Sequence, residues 1–154
     1  MNSGVVHSGE GRSIWVVGDL YTIKASGEET GEAFALIEAR VPPGGGPPPH
    51  LHHREDEAFY VLKGELHFHI DGRDITVGAG SWVTLARGSL HHFKNVGDRP
   101  ARMLIVVTPA GLERYFLEVG RAAGDAVAPS PEDIERLVAV APRYGIDIRL
   151  PQTG

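Results

Sequence analysis

Short apolar runs separated by Gly, Pro, Asn and Asp fill residues 13–108, and they constrain the fold more than any other feature of this sequence. Runs of about four to eight residues with this punctuation are typical of the strands of an all-β barrel or sandwich. Two hairpins are indicated, because the glycines of Asp71-Gly72 and Lys63-Gly64 tolerate the positive φ of a tight turn. We therefore predict at least eight strands, and the candidate segments are 14–17, 20–25, 34–41, 58–62, 65–70, 73–77, 81–85, 91–95 and 102–107.

Beyond residue 108 the apolar residues change from strand spacing to helical spacing. A first apolar stripe covers 112–119 and stops at Gly120. A second begins at Ser130, a residue type favoured at helix N-caps, with Pro131 at the first helical position. The stripes predict two short helices packed on the outside of a barrel, and a lid or a dimer contact is the alternative use of their apolar faces.

Length and composition indicate one domain, since 154 residues with 42% hydrophobic and 23% charged side chains match an ordinary globular protein. We divide the chain into a flexible N-terminus (1–12), a β-barrel (13–108) and a helical extension packed on the barrel (109–154). No apolar run approaches the roughly 20 residues of a membrane span, and residues 1–12 lack the apolar core of a signal peptide. The expectation is a cytoplasmic protein without a membrane partner.

Charge and cysteine content exclude several classes of function. The net charge is −5 with acidic and basic residues interspersed, so the sequence has no basic patch for nucleic acid. The chain has no Cys, which excludes disulfides, thiolate zinc sites, iron–sulfur clusters and cysteine nucleophiles. Any metal site must use nitrogen and oxygen donors.

A metal-ligand pattern lies within residues 44–64. His50 and His52 are one residue apart, so on a strand both imidazoles point to the same face. Glu57 follows at an odd offset from His52, and the charged insert 53–56 must turn or bulge the chain if the carboxylate is to face the same point. Imidazole and carboxylate are ligands for Fe, Mn, Ni, Co, Cu and Zn. The alternative is a polar barrel rim that holds no metal.

A second segment, residues 80–95, contains adjacent histidines and completes a family pattern. The first segment resembles the first motif of the cupins at Gly44, His50, His52, Glu57 and Gly64. The second resembles the second cupin motif at Gly80, Gly88, His91 and Asn95. Ala86 stands where that motif usually has proline, a departure that bears on the local turn and removes no ligand.

The resemblance covers residues 34–108 and implies an antiparallel double-stranded β-helix, the jelly-roll barrel of the cupins, with a metal ion inside its mouth. It carries His50, His52, Glu57 and His91 over as ligands of one divalent transition metal, with its identity open among Fe, Mn, Ni, Co, Cu and Zn. Glu57 would also be the catalytic group that takes a proton. Small cupins usually pair, so a homodimer is expected.

The flanking helical segments resemble small single-domain cupins described as quercetin 2,3-dioxygenase-like. This implies an oxidoreductase of dioxygenase type, with a small aromatic or enolisable substrate bound to the metal and dioxygen as a candidate partner. A non-redox isomerase, lyase or hydrolase would use the same ligands without oxygen uptake. A small-molecule-binding cupin without turnover is a third reading, because a fold does not fix a function.

Strand parity also predicts a substrate pocket and places the other histidines. The pocket residues share parity with Glu57 or His91, or lie on the last strand, and simple core packing is their alternative role; they are Phe59, Val61, Phe93, Met103 and Ile105. His53 and His92 adjoin ligand positions and should face the other way. His67 and His69 alternate with apolar residues, which predicts a solvated face. Alternation leaves the facing of Trp82 open.

Overall fold

The computed structural model describes residues 1–124 and 128–151; residues 125–127 and 152–154 of the expected C-terminal extension lie outside the described residues. In chain order the elements are β1 (Arg12–Val16), β2 (Asp19–Ala25), α1 (Gly27–Thr30), β3 (Ala35–Val41), β4 (His50–His52), β5 (Asp56–Lys63), β6 (Glu65–Ile70), β7 (Arg73–Gly78), β8 (Trp82–Leu85), β9 (His91–Lys94), β10 (Ala101–Thr108), α2 (Leu112–Val119), β11 (Arg121–Ala122), α3 (Pro131–Val140), a 3₁₀ helix (Ala141–Tyr144) and β12 (Ile146–Ile148).

The strands form two antiparallel sheets, which confirms the predicted all-β jelly roll. The larger sheet has the order β11-β1-β2-β3-β10-β5-β8, and the smaller has the order β12-β4-β9-β6-β7. Consecutive strands therefore separate into different sheets at several points, as in a double-stranded β-helix. The core lies between the sheets, where alternate residues such as Ile37, Val61, Phe68 and Met103 are fully buried.

Each of the nine candidate segments overlaps a strand. The predicted hairpin at Asp71-Gly72 is present, but the one predicted at Lys63-Gly64 is wrong, because this turn joins β5 and β6, which belong to different sheets. In the hairpin that is present, both turn residues have positive φ, 47° for Asp71 and 82° for Gly72, as a two-residue hairpin turn requires. Trp82 faces outward and is 57% exposed. The candidate segments do not include β4, β11 or β12, because two or three residues are too few to show an alternating apolar pattern, although the ligand pattern of His50 and His52 already requires that these two residues lie on a strand.

The C-terminal helices begin and end at the residues that the sequence indicates. α2 ends at its C-cap Gly120, and the Ser130 side chain caps α3 by accepting a hydrogen bond from the Asp133 amide. α2 packs outside the barrel against β1 and β3, and the Tyr115 hydroxyl donates to the Leu137 carbonyl of α3 at 2.6 Å. The same C-terminal region adds β11 and β12 as edge strands of the two sheets. In the described part of the chain, no helix is both long and apolar enough to cross a bilayer.

Candidate metal centre

Three histidines of the smaller sheet meet at the inner face of the barrel. His50 and His52 lie on β4, and His91 lies on the neighbouring strand β9, directly opposite His50. One ring nitrogen from each histidine lies within 4.8 Å of the others, a spacing suited to a shared ion. The side chains of His52 and His91 are almost fully buried, at 4% and 2% exposure. β12 flanks β4 on its other edge, so the ligand strand is held from both sides.

Glu57 reaches this histidine group from the opposite sheet. After His52 the chain leaves β4, bends at residues 53 and 54, and enters β5 of the larger sheet at residue 56. This change of sheet is the turn that the odd offset of Glu57 requires. The carboxylate lies with Oε1 3.0 Å from His52 Nε2 and Oε2 3.5 Å from His91 Nε2. All four predicted ligands are thus close together.

Backbone carbonyls fix the rings of two of these histidines. The Nδ1 of His50 lies 2.8 Å from the Pro48 carbonyl, and the Nδ1 of His91 lies 2.9 Å from the Ser89 carbonyl. A carbonyl oxygen only accepts, so each Nδ1 carries the hydrogen and each neutral ring keeps its lone pair on Nε2. A hydrogen bond of this kind commonly orients a metal-binding imidazole.

Burial and mutual charge set the protonation of the group. Burial, followed by the charges of His91 and His52, lowers the pKa of His50 to about 3, so this ring is neutral at neutral pH. Burial also opposes ionisation of Glu57, but the charges and contacts of His52 and His91 outweigh it and hold the pKa of Glu57 well below its usual value. The His52 pKa is raised, because the charge and contact of Glu57 outweigh the effect of burial.

The histidine group has ring nitrogens that lack hydrogen-bond partners in the described chain, as the ligands of a metal ion would. Glu57 oxygens lie 3.0 and 3.5 Å from Nε2 of His52 and Nε2 of His91, but neither of these buried nitrogens makes a hydrogen bond to Glu57 or to any other described residue. Buried polar atoms without partners are costly, and coordination would satisfy both nitrogens. Neutral imidazoles with a carboxylate suit a first-row divalent ion. His50, His52 and His91 can therefore hold such an ion, with Glu57 beside them.

Aromatic and aliphatic side chains wall the cavity in front of the histidines. The apolar side chains from the two sheets and from the turn between β1 and β2 are Val16, Val17, Phe59, Phe93, Ile105, Ile146 and Ile148. α2 and α3 lie across the cavity and contribute Tyr115, Phe116 and Leu137. The helices thus pack outside the barrel and at the same time close its metal-bearing end.

The cupin domain model matches residues 37–107, which contain all four predicted ligands. This chain belongs to the cupin superfamily.

Relatives of this cupin carry several different activities in their names. Over 116 residues it is 26% identical to quercetin 2,3-dioxygenase of Bacillus subtilis (strain 168), a match that covers 75% of this chain and 34% of that protein. It is 34% identical to the oxalate-binding protein of Thermotoga maritima over 76 residues, which cover 49% of this chain and 63% of that protein. The cupin therefore spans about a third of the first relative and just under two thirds of the second.

A solved structure supports the fold of the cupin. A crystal structure from Thermotoga maritima, described as a predicted oxalate decarboxylase, superposes with a TM-score of 0.64 at 26% identity. The match covers 69% of this chain and 99% of that one.

Two of the predicted pocket residues of this cupin lie elsewhere. Phe59, Phe93 and Ile105 line the cavity, but Val61 and Met103 do not. The latter two face each other across β5 and β10 with no exposed surface, one inward-facing pair beyond Phe59 and Ile105. Alternation along a strand predicts correctly that both side chains point inward, but it does not tell how far along the barrel they lie from the cavity. Val61 and Met103 are therefore core residues and not pocket walls.

The motif departure at Ala86 leaves the second motif of this cupin intact. The Ser89 amide donates to the Ala86 carbonyl at 3.0 Å, and Gly88 adopts the φ of 83° that the turn needs. The Gly88 amide also donates to the His52 carbonyl at 2.7 Å, which ties this turn to the ligand strand.

Strand alternation does not predict that Glu55 and Asp19 are buried near the histidines. Glu55 is buried, and its Oε2 lies 3.8 Å from Nδ1 of His52, too far for a hydrogen bond but near enough to favour an N–H on that side of the ring. Asp56 instead pairs with Arg87 at the surface. Asp19 lines the cavity from the start of β2. It follows Gly18 in a turn, a position where Asp is common for local reasons, and no sequence signal marks it as buried.

The remaining histidines lie outside the cavity. His53 is exposed, and His92, His67 and His69 are partly buried on the outer side of the smaller sheet. His67 and His69 contact the exposed carboxylate of Asp74 at 3.2 and 2.8 Å.

Proposed function

We propose that this cupin is a metal-dependent oxidoreductase of dioxygenase type, quercetinase-like, that acts on a small aromatic or enolisable substrate. The observation that carries the proposal is a cluster of three histidines at the end of a cavity with largely apolar walls. Two of these histidines, His52 and His91, have a buried Nε2 without a hydrogen bond in the described chain. The similarity to a quercetin 2,3-dioxygenase over 75% of the chain supports the same class.

His50, His52, His91 and Glu57 would hold one divalent ion, either Fe, Mn, Ni, Co, Cu or Zn. The bound ion would supply Lewis acidity toward a substrate oxygen and, if redox-active, dioxygen chemistry. Oxygenolytic cleavage would place both atoms of dioxygen in the products and need no further reductant.

Glu57 is the residue placed to handle the substrate proton. Its lowered pKa keeps it ionised at neutral pH, so it can always accept a hydrogen bond from a substrate hydroxyl. A carboxylate with a low pKa is a weak base, and it receives the proton only from a hydroxyl acidified at the ion. Phe59 and Phe93 stand in the cavity wall, where they would pack against an aromatic ring and exclude water.

The cavity chemistry favours an aromatic substrate over a small dicarboxylate. Among the described residues that line it, there is no Lys or Arg to pair with a second carboxylate. Oxalate, which two of the similar proteins have in their names, would thus find its charges balanced only at the ion. The oxalate-binding relative still supports a second candidate, a small-molecule-binding or non-redox cupin with the same ligands.

A homodimer and a cytoplasmic location stay part of the proposal. Tyr60 and Trp82 are neighbours in register on the outer side of β5 and β8 and are 40% and 57% exposed. β8 is also an edge strand, and a second copy covering it would protect both the apolar side chains and the edge. Sedimentation of wild type and Trp82→Lys tests this, with a monomeric variant expected.

The test of function begins with elemental analysis of the purified protein and of forms reconstituted with each metal. Oxygen uptake is then measured against flavonols, catechols and diketones, with wild type beside Glu57→Gln. Uptake in a redox-active metal form, lost or strongly reduced in the variant, is the expected result. Metal binding without uptake in any form would refute the dioxygenase and favour the non-redox or binding cupin. Failure to bind any metal would overturn the ligand set.

A further inference from the structure

One buried carboxyl group in the cavity is not used by the proposed chemistry. Apart from the histidines and Glu57, the polar side chains that line the cavity in the described chain are Asp19, Tyr21 and Tyr115. The Tyr115 hydroxyl donates to the Leu137 carbonyl, and the Tyr21 hydroxyl donates to Asp19 Oδ2 at 3.3 Å. Asp19 Oδ1 is buried and has no hydrogen-bond partner among the residues that the structure describes.

A structural role does not explain this carboxyl group. Asp19 is 1% exposed, and its one hydrogen bond, from Tyr21, is long. A buried carboxyl oxygen left unpartnered is destabilising, a cost that an apolar residue at this position would avoid. Desolvation raises the pKa of Asp19 to about 7, with the Tyr21 hydrogen bond opposing it, so near neutral pH the group can donate or accept.

The surroundings of Asp19 keep the carboxyl group in place without satisfying it. A side chain at position 45 would put its Cβ 2.9 Å from Oδ1, so Gly45 leaves the room that this oxygen occupies. Tyr21 is held in turn by an edge contact with Phe116 of α2, with ring centroids 4.8 Å apart. The carboxyl group therefore sits in a built position on the larger sheet, while the histidines face the same cavity from the smaller sheet.

We propose that Asp19 binds a hydroxyl group of the substrate, which deepens and rests on the proposed function. The substrate class is then a small aromatic or enolisable molecule with one oxygen, or an adjacent pair of oxygens, directed to the histidines and a further hydroxyl that hydrogen-bonds to Asp19. Tyr21 is a positioning residue, since it acts by orienting the carboxyl group. An analogue with a methyl group in place of that further hydroxyl leaves Asp19 without its partner.

The test compares 1,2,4-trihydroxybenzene with 4-methylcatechol, which share a catechol and differ by a hydroxyl in place of a methyl group. Binding to zinc-loaded protein is measured by anaerobic calorimetry, with wild type beside Asp19→Leu and Tyr21→Phe. Wild type should bind the triol more tightly, by about 10-fold, because only the triol satisfies Asp19. Asp19→Leu should abolish the preference by weakening the triol alone, and Tyr21→Phe should reduce it.

Oxygen uptake, measured separately in redox-active metal forms, distinguishes the two proposals. A preference for the triol that Asp19→Leu removes supports the role of Asp19 even if no form takes up oxygen. Equal binding of both compounds, or a preference that survives in Asp19→Leu, overturns it even if oxygen is consumed. Binding of neither compound by wild type overturns the proposed role of Asp19, while oxygen uptake still decides the dioxygenase proposal. Asp19→Ala, which cannot overfill the site, provides the same comparison if the Leu variant does not fold.

Discussion

The smaller sheet carries histidines on both faces, and their surroundings differ. His50, His52 and His91 face the cavity, while His67, His69 and His92 lie on the outer side. On both faces, two members come from a His-x-His pair on one strand and the third comes from β9. The outer rings also meet, since those of His69 and His92 stack at 5.2 Å.

Hydrogen bonding separates the two groups. His50 and His91 donate from Nδ1 to backbone carbonyls, which leaves Nε2 of each neutral ring without a hydrogen. On the outer face, His67 uses Nδ1 and Nε2 for contacts with Thr76 and Asp74, and His69 contacts Asp74 through Nδ1. The two His-x-His pairs share a sequence pattern but differ in their partners, so the pattern alone does not predict a ligand pair. His91 adds a carbonyl on Nδ1 and a buried Nε2 without a hydrogen bond, while on the outer face the buried atom without a partner in the described chain is Nδ1 of His92.

The largest expected effect is loss of the metal from the inner face. We expect His91→Ala to lower metal affinity by more than the roughly 100-fold that loss of a supporting residue causes, since it removes a ligand itself. The matched control is His92→Ala, the next residue on β9, which should retain wild-type affinity and stoichiometry. Metal titration with a competing chelator provides the measurement. Equal affinity in the two variants would mean that the faces do not differ as the geometry indicates.

The next effect concerns two aspartates, Asp19 in the cavity and Asp74 on the outer face of the smaller sheet. Their contributions to stability should change with pH in opposite directions. No Lys or Arg of the described residues lines the cavity with Asp19; Tyr21 donates to Asp19, and the charge of Glu57 acts on Tyr21. The pKa of Asp19 rises from 3.8 to about 7 on folding. Its contribution to the free energy of unfolding is therefore complete below pH 3.8 and is lost as the pH rises through 7. Asp19→Asn should therefore gain stability relative to wild type between pH 4 and 8, by at most about 4 kcal/mol.

Urea unfolding of both proteins at several pH values checks this prediction. The metal-site groups titrate in wild type and variant alike, so they cancel in the difference between the two. A stability difference that stays flat from pH 4 to pH 8 would show that Asp19 is not desolvated in the folded protein.

A smaller loss of metal affinity is expected when Glu55, which lies beside the predicted ligand His52, is changed. Glu55→Gln should weaken metal binding by about 10-fold, because the buried carboxylate beside His52 Nδ1 favours the ring form whose Nε2 carries the lone pair. Asp56→Asn, one residue along, breaks a surface pair with Arg87 and should leave affinity within about twofold of wild type. Metal competition assays on the two variants measure both values. A larger loss in Asp56→Asn than in Glu55→Gln would reverse the assignment.

The sequence predicts the residues of the candidate metal centre but only part of the structure that surrounds them. Strand parity places His50 with His52 and separates His91 from His92, because these relations depend on alternation along one strand. The change of sheet between β4 and β5 appears only as an odd offset before Glu57. Asp19 gives no sequence signal, because it follows a turn where Asp is common, whereas the cavity that it lines is completed by α2, β12 and the turn before β4. Local patterns do not report such long-range closure.

The smallest expected effect belongs to Asp74, the outer counterpart of Asp19. Hydrogen bonds from His69 and His67 lower the Asp74 pKa, so its contribution to stability is present above the unfolded value of 3.8 and is lost as the pH falls through the lower folded value. Asp74→Asn should thus be slightly less stable than wild type near neutral pH, with a difference that shrinks in acid and in high salt. Its metal affinity should equal that of wild type. Urea unfolding at low and neutral pH, with and without added salt, measures the difference. If Asp74→Asn instead released the metal, the inner and outer faces of the sheet would be coupled, and the separation argued from their hydrogen bonds would be wrong.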